Sequence, residues 1–134
     1  MKTYSVDTNI FLRYLIGDDK QKRRKVKTWF EKARKGKYSL VVEPFVIVEV
    51  AHMLSRYYKL PKQNVCELLR GILGLEFLLM DYRIDLARAI DMYESAGIDF
   101  VDALLYVRAK EKKANLLSFD SDFDKLTPNL HTQP

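Results

Sequence analysis

Four acidic residues stand where a carboxylate is chemically conspicuous. Asp7 follows the short run TYSV, Glu49 interrupts the apolar run FVIVEVAHML, Asp102 adjoins ALLYV, and Asp120 follows NLLSF. Singly, each has a plain explanation. An Asp at a strand end or helix start is ordinarily a cap or a solvated loop residue, and Glu49 has Arg56 or Lys59 as candidate partners. A carboxylate on an apolar helical face nevertheless costs desolvation free energy unless it meets a cation. Gathered at one sheet edge, the four acids would repel one another strongly, and a hard divalent cation would remove that conflict. Mg²⁺ takes oxygen ligands, retains waters and binds through carboxylates together with substrate phosphate; Mn²⁺ accepts similar ligands. One such ion can polarise a phosphoryl oxygen and lower the pKa of a bound water, and a second can stabilise the leaving oxygen. The chemistry suggested is metal-assisted attack of water on phosphorus.

The elements that would position these acids follow from periodicity. TYSV reads as a short buried strand, and NIFLRYLI has helical apolar spacing, which puts Asp7 at a strand-to-helix junction. A helix over 20–35 would turn Val26, Trp29, Phe30 and Ala33 inward, with Gly36 as its C′ residue. YSLVV is the next strand. Pro44 would open a helix whose inward face carries Phe45, Val46, Glu49, Val50, Met53, Leu54 and Tyr57. Pro61 opens another, ending at Gly71 or Gly74, and LEFLLM at 75–80 reads as a strand or a helix. Residues 83–96 are helical through Ile84, Leu86, Ala87, Ile90, Tyr93 and Glu94, up to Gly97. Asp99 and Asp102 then begin a further helix, favourably placed against its dipole. NLLSF is the last strand, DSDFDKL hangs from its end on Phe123 and Leu126, and residues 128–134 form a loose tail. Short strands alternating with long helices predict one α/β domain over 1–134, with a mostly parallel central sheet and helices on both faces. In such sheets ligands bind beyond the carboxyl ends of the strands, where Asp7 and Asp120 fall.

Composition narrows the options. A chain of 134 residues, 48% hydrophobic and 31% charged, matches an ordinary globular domain. The lone Cys66 and two distant histidines give neither a disulfide nor a zinc-ligand pattern, which suits a reducing compartment. The N-terminus meets Asp7 before any sustained apolar run, and YSLVVEPFVIVEVAHML is broken by Glu43 and Glu49. Neither a signal peptide nor a membrane span is expected, and a cytoplasmic location follows. The net charge of +5 is unevenly spread. Residues 20–37 hold ten basic residues against one acid, Glu31. That segment is either a solvated face or a basic flank with Lys22, Arg23, Arg24 and Lys27 as leading contacts for RNA or an acidic partner.

VDTNIFLRYL, DFVDAL and LLSFDSDFDKL together resemble the signatures of the PIN-domain family, in particular the VapC-like toxin nucleases of type II toxin–antitoxin pairs. The resemblance spans nearly the whole chain. It implies a PIN-like three-layer sandwich and a Mg²⁺- or Mn²⁺-dependent endoribonuclease using one or two ions, neutralised by a cognate antitoxin and commonly homodimeric. Residue by residue, it makes Asp7 and Asp102 metal ligands, Asp120 a direct or water-mediated contact, and Glu49 a ligand or water-orienting acid. It gives Asn9 and Ser118 polar orienting roles, against the plainer readings of a helix-start residue and a local backbone hydrogen bond. Asp99 and Asp122 become auxiliary acids, with Asp124 further from the ion. The pattern departs from the family at Pro44, where no hydroxyl lies nearby, and at KKANLLSFD, which lacks a glycine before the strand. Tyr57, Tyr58 and Leu60 are candidate dimer contacts. The rival functions are a non-catalytic RNA- or protein-binding module and a Mg²⁺-dependent phosphatase, the latter disfavoured because Asp7 continues as DTNIF rather than D-x-D.

Overall fold

The computed structural model describes residues 1–134. The chain divides into two compact units, Met1–Tyr82 and Arg83–Pro134.

The first unit is built on a three-stranded parallel sheet in the order β1-β2-β3, from β1 (Thr3–Ser5), β2 (Ser39–Val42) and β3 (Leu78–Met80). Tyr4 stands opposite Leu40, and Leu40 opposite Leu78. The middle strand is the buried one, through Leu40 and Val42. At the edge, β1 keeps Thr3 and Ser5 exposed and is less enclosed than its sequence suggests. Beyond it Val6 is buried, its N–H donating to the Val41 carbonyl at 2.9 Å, so the strand direction persists up to Asp7.

Helix α1 (Thr8–Leu15) buries Thr8, Phe11 and Leu12, an i, i+3, i+4 stripe. Asp19 caps α2 (Lys20–Arg34) by accepting from the Lys22 N–H at 3.0 Å. Val26, Phe30 and Ala33 of α2 face inward as the spacing predicts. Trp29 is 45% exposed and lies at the margin, edge-on to Tyr4 at 5.0 Å and tilted against Tyr38 at 4.8 Å. Gly36, at φ 82°, closes α2: its N–H reaches the Ala33 carbonyl and the Lys37 N–H reaches Lys32, the paired bonds of a Schellman turn.

Pro44 opens α3 (Pro44–His52), which continues as a π-helical turn over Met53–Tyr57. The inward face differs from the predicted one. Val46, Ile47, Val50, Ala51 and Leu54 are buried, whereas Phe45 is 67% and Tyr57 69% exposed, and Glu49 faces solvent. FVIVEVAHML offers apolar residues on nearly every side, so periodicity alone does not fix its rotation. The row containing Glu49 would have buried a carboxylate, and the helix buries the Ile47 and Ala51 row instead. Helix α4 (Lys62–Leu73) adds Val65, Cys66, Leu69 and Ile72 to this unit's core.

In the second unit α5 (Arg83–Ala96) packs on α6 (Phe100–Glu111), the chain reversing at Gly97 with φ 66°. Leu86, Ala89, Ile90 and Tyr93 of α5 and Phe100, Ala103, Tyr106 and Val107 of α6 are buried. Ile84 is 67% exposed while Asp85 is buried, a rotation of about one residue from the predicted face. Asp85 accepts from Arg108 Nη1 at 2.9 Å, and that ion pair between α5 and α6 makes its burial tolerable. Strand β4 (Leu116–Leu117) leads to a 3₁₀ turn over Ser121–Lys125, anchored by buried Phe123 and Leu126. Residues 128–134, read from sequence as a loose tail, instead carry β5 (His131–Thr132), parallel to β4 with Leu116 opposite His131. The Tyr106 hydroxyl donates to the Pro128 carbonyl at 2.6 Å and fixes the approach to that strand. Every strand pair is parallel, as the α/β reading requires. No helix is long and apolar enough to cross a membrane.

Candidate active site

Asp7 occupies the N-cap position of α1 in extended conformation, exposed, and makes no side-chain cap bond. The plain explanation of this carboxylate as a side-chain helix cap is thereby removed. Asn9, two residues on, is exposed and faces a recess of about 660 Å³ shared with Arg13, Lys22, Lys25 and Trp29. Glu49 lies on the solvent side of α3, so the desolvation argument for a bound cation does not apply to it.

Among the α2 cations, Arg23 is drawn back: its Nε donates to the Tyr14 carbonyl at 3.0 Å and ties down the end of α1. Lys25, which no sequence signal singles out, shares the recess with Lys22. Arg24 and Lys27 are exposed.

The second unit brings acids together. Asp99 is the N-cap of α6, again without a side-chain cap bond, and Asp102 lies in the first helical turn, half-buried. Burial pushes the Asp102 carboxyl above its ordinary value, and the nearby charges of Asp120, Asp99 and Asp122 push it the same way. Asp120 caps the 3₁₀ turn, its Oδ1 accepting from the Asp122 N–H at 2.9 Å. Ser118 Oγ accepts from the Asp120 N–H at 2.9 Å, the local backbone bond that is the plainer reading of this serine. Asp122 makes an exposed pair with Lys125 Nζ at 3.1 Å, a contact of small energetic weight.

Residues 4–127 match the PIN domain family model. The chain belongs to the PIN-domain family. The matched residues run through both units. The chain is also similar to a VapC ribonuclease of Aquifex aeolicus (strain VF5), with 28% identity over 122 residues, 90% of each chain.

In this PIN domain the acids around α6 are close enough to raise the proton affinity of Asp102. Nowhere do three or more Asp, Glu, His or Cys side chains close into a ligand group for a metal ion. The donor set is nonetheless all-oxygen and its members repel, the chemistry that suits a hard divalent cation rather than zinc or copper.

His131 carries no sequence signal, standing in NLHTQP without any motif. Its Nε2 lies 2.7 Å from the Ser118 carbonyl and its Nδ1 2.8 Å from Asp124 Oδ1. A carbonyl and a carboxylate both accept, so the protonated ring, with an N–H on each nitrogen, is the form that satisfies both contacts. The bond to the Ser118 carbonyl, followed by that to Asp124, raises the His131 pKa above its ordinary value, and the same contact lowers that of Asp124.

Proposed function

We propose that this PIN domain is a metal-dependent endoribonuclease, the toxin of a toxin–antitoxin pair, which hydrolyses phosphodiester bonds in single-stranded or looped RNA. The observation that carries this reading is the crowding of Asp99, Asp120 and Asp122 on Asp102, in a chain whose relative is a VapC ribonuclease. The Asp102 carboxyl, raised by burial and by three acids beside it, is poised for a cation that would favour its ionised form.

Asp7, Glu49, Asp102 and Asp120 are the residues assigned to hold Mg²⁺ or Mn²⁺, with Asp7 and Asp102 as direct ligands. A bound ion of this kind supplies a Lewis acid for the phosphoryl oxygen and a water of lowered pKa. Asp120 has Oδ1 committed to the Asp122 N–H, which fixes the direction of its carboxylate. Asn9 is a polar group two residues beyond Asp7 that can orient substrate or water. Lys22, Lys25, Arg24 and Lys27 form the basic flank that attracts the RNA backbone or an acidic segment of the antitoxin. Exposed Phe45 and Tyr57 supply apolar surface for a homodimer. Light scattering that reports only monomer at micromolar concentration, in low and moderate salt, would remove the free-homodimer claim.

A non-catalytic RNA- or protein-binding module is the second reading, favoured by the absence of a closed three-ligand group. Cleavage of mixed cellular RNA separates the two. Wild-type protein should cleave with Mg²⁺ or Mn²⁺ and stop on chelation, and D102N at matched folded concentration should not cleave. Equal behaviour of both proteins, or cleavage that persists in chelator, favours the binding module or another mechanism.

A further inference from the structure

The segment from Ser118 to Asp124 carries two of the acids that crowd Asp102, and both of its ends meet one histidine outside it. We propose that His131 is a positioning residue that clamps this segment at Ser118 and Asp124 and thereby presents Asp120 to a divalent cation. The proposal rests on the metal-dependent reading above.

The grip is double, part-buried at Ser118 and exposed at Asp124. The His131 side chain is 4% exposed, and its two N–H groups bridge points six residues apart, at 2.7 and 2.8 Å. Between those points lie the two bonds that shape the acid, Asp120 N–H to Ser118 Oγ and Asp122 N–H to Asp120 Oδ1. The ring is itself placed by β5. Leu116 N–H donates to the Leu130 carbonyl at 2.8 Å and Ser118 N–H to Thr132 at 3.1 Å, which set His131 beside the start of the segment. Asn129 completes the frame: its Oδ1 accepts from the His131 N–H, and its Nδ2 donates to the Asp124 oxygen that His131 holds. Phe123, buried within the segment, lies 6.1 Å from the ring centroid.

Asp124 Oδ1 is therefore engaged by the clamp. A carboxylate on a short turn presents its oxygens to an ion only as accurately as the turn is held. Groups that hold metal ligands in this way influence affinity about 10- to 100-fold. Loss of both His131 donors would leave the Ser118 carbonyl and the Asp124 carboxylate without them and free the segment to sample other turns.

The test uses the full chain and two readouts. Amide hydrogen exchange at Asp120 and Asp122, without metal, reports the clamp; calorimetric titration with Mn²⁺ reports what it does for the site. H131F should raise exchange at both amides about tenfold and weaken Mn²⁺ binding by about tenfold or more. H131Q, which keeps one donor, should recover part of both effects. D124N keeps the Ser118 half of the grip, should fall between wild type and H131F, and serves if H131F does not fold. Faster exchange with Mn²⁺ affinity unchanged would overturn the positioning role and leave His131 a purely structural tie. Unchanged exchange in all three variants would overturn the clamp itself. Wild-type protein that takes up no Mn²⁺ would overturn the metal reading and the positioning role with it. That failure is recognisable because it appears before any substitution is made.

Discussion

Asp7 and Glu49 in the first unit and Asp99, Asp102, Asp120 and Asp122 in the second carry the same functional group in two settings. The first pair stands exposed on separate helices, and neither needs a partner to remain hydrated. The second set lies about one helical start, with Asp99 and Asp120 also exposed, and there burial and three neighbouring charges act together on Asp102. The comparison teaches that an acid becomes informative through what surrounds it. A solvated carboxylate can be a ligand at no structural cost, whereas a crowded one stores repulsion that a cation would relieve.

The most drastic way to break this comparison is to remove one charge from each side. D7N and D102N should each lower metal-dependent RNA cleavage by about 100-fold or more, measured at matched folded concentration. They should differ in stability. Because the folded state raises the Asp102 pKa, folded protein binds more protons than unfolded across the window above the unfolded value of about 3.8. Stability contributed at this site therefore falls as pH rises through that window, and D102N should melt higher than wild type at neutral pH. Calorimetric melting checks this, and a D102N protein less stable than wild type would contradict the crowding.

The second unit has one buried acid of the opposite kind. Asp85 is satisfied by Arg108 rather than left to repel its neighbours, so D85A should destabilise by about 2 kcal/mol, read by urea unfolding. A neutral result would mean that the pair merely breaks even against solvation.

A subtler effect concerns the protonation of His131. His131 has a folded pKa raised above 6.5, so its contribution is fully present below that value and lost as pH rises through the folded pKa. Protection of the Asp120 and Asp122 amides, corrected for intrinsic exchange, should decline over that rise in wild type and stay flat in H131F. The smallest effect lies on α2. K22Q with K25Q should weaken RNA binding and flatten its salt dependence by about 0.7 in logarithmic slope for each phosphate that is no longer neutralised, while leaving Mn²⁺ uptake intact. R23Q should instead loosen the end of α1, because its Nε holds the Tyr14 carbonyl.

Much of this is legible in the residues themselves. The strand-to-helix junction at Asp7, the Schellman end at Gly36, Pro44 at a helix start and the Phe123 anchor are local signals with local causes, and each appears where the spacing puts it. Rotation and long-range partnership are not legible in the same way. The face of α3 differs from the expected one because its run is apolar on most sides, and that of α5 because Asp85 finds Arg108 23 residues away. His131 is hidden for the same reason. A histidine in a C-terminal stretch carries no motif, and its meaning depends on β5 pairing with β4, two residues against two, too short a strand for periodicity to announce.

The central claim is that burial and the neighbouring acids raise the Asp102 pKa, and that a divalent cation joining them reverses the rise. Carbon NMR of the Asp102 side-chain carboxyl, followed across pH with and without Mg²⁺, measures this directly. The account predicts a pKa above the ordinary aspartate value in metal-free protein and a clear fall on adding Mg²⁺, with proton release on binding. An Asp102 that titrates at the ordinary value in metal-free protein, or one whose titration Mg²⁺ leaves untouched, would contradict it.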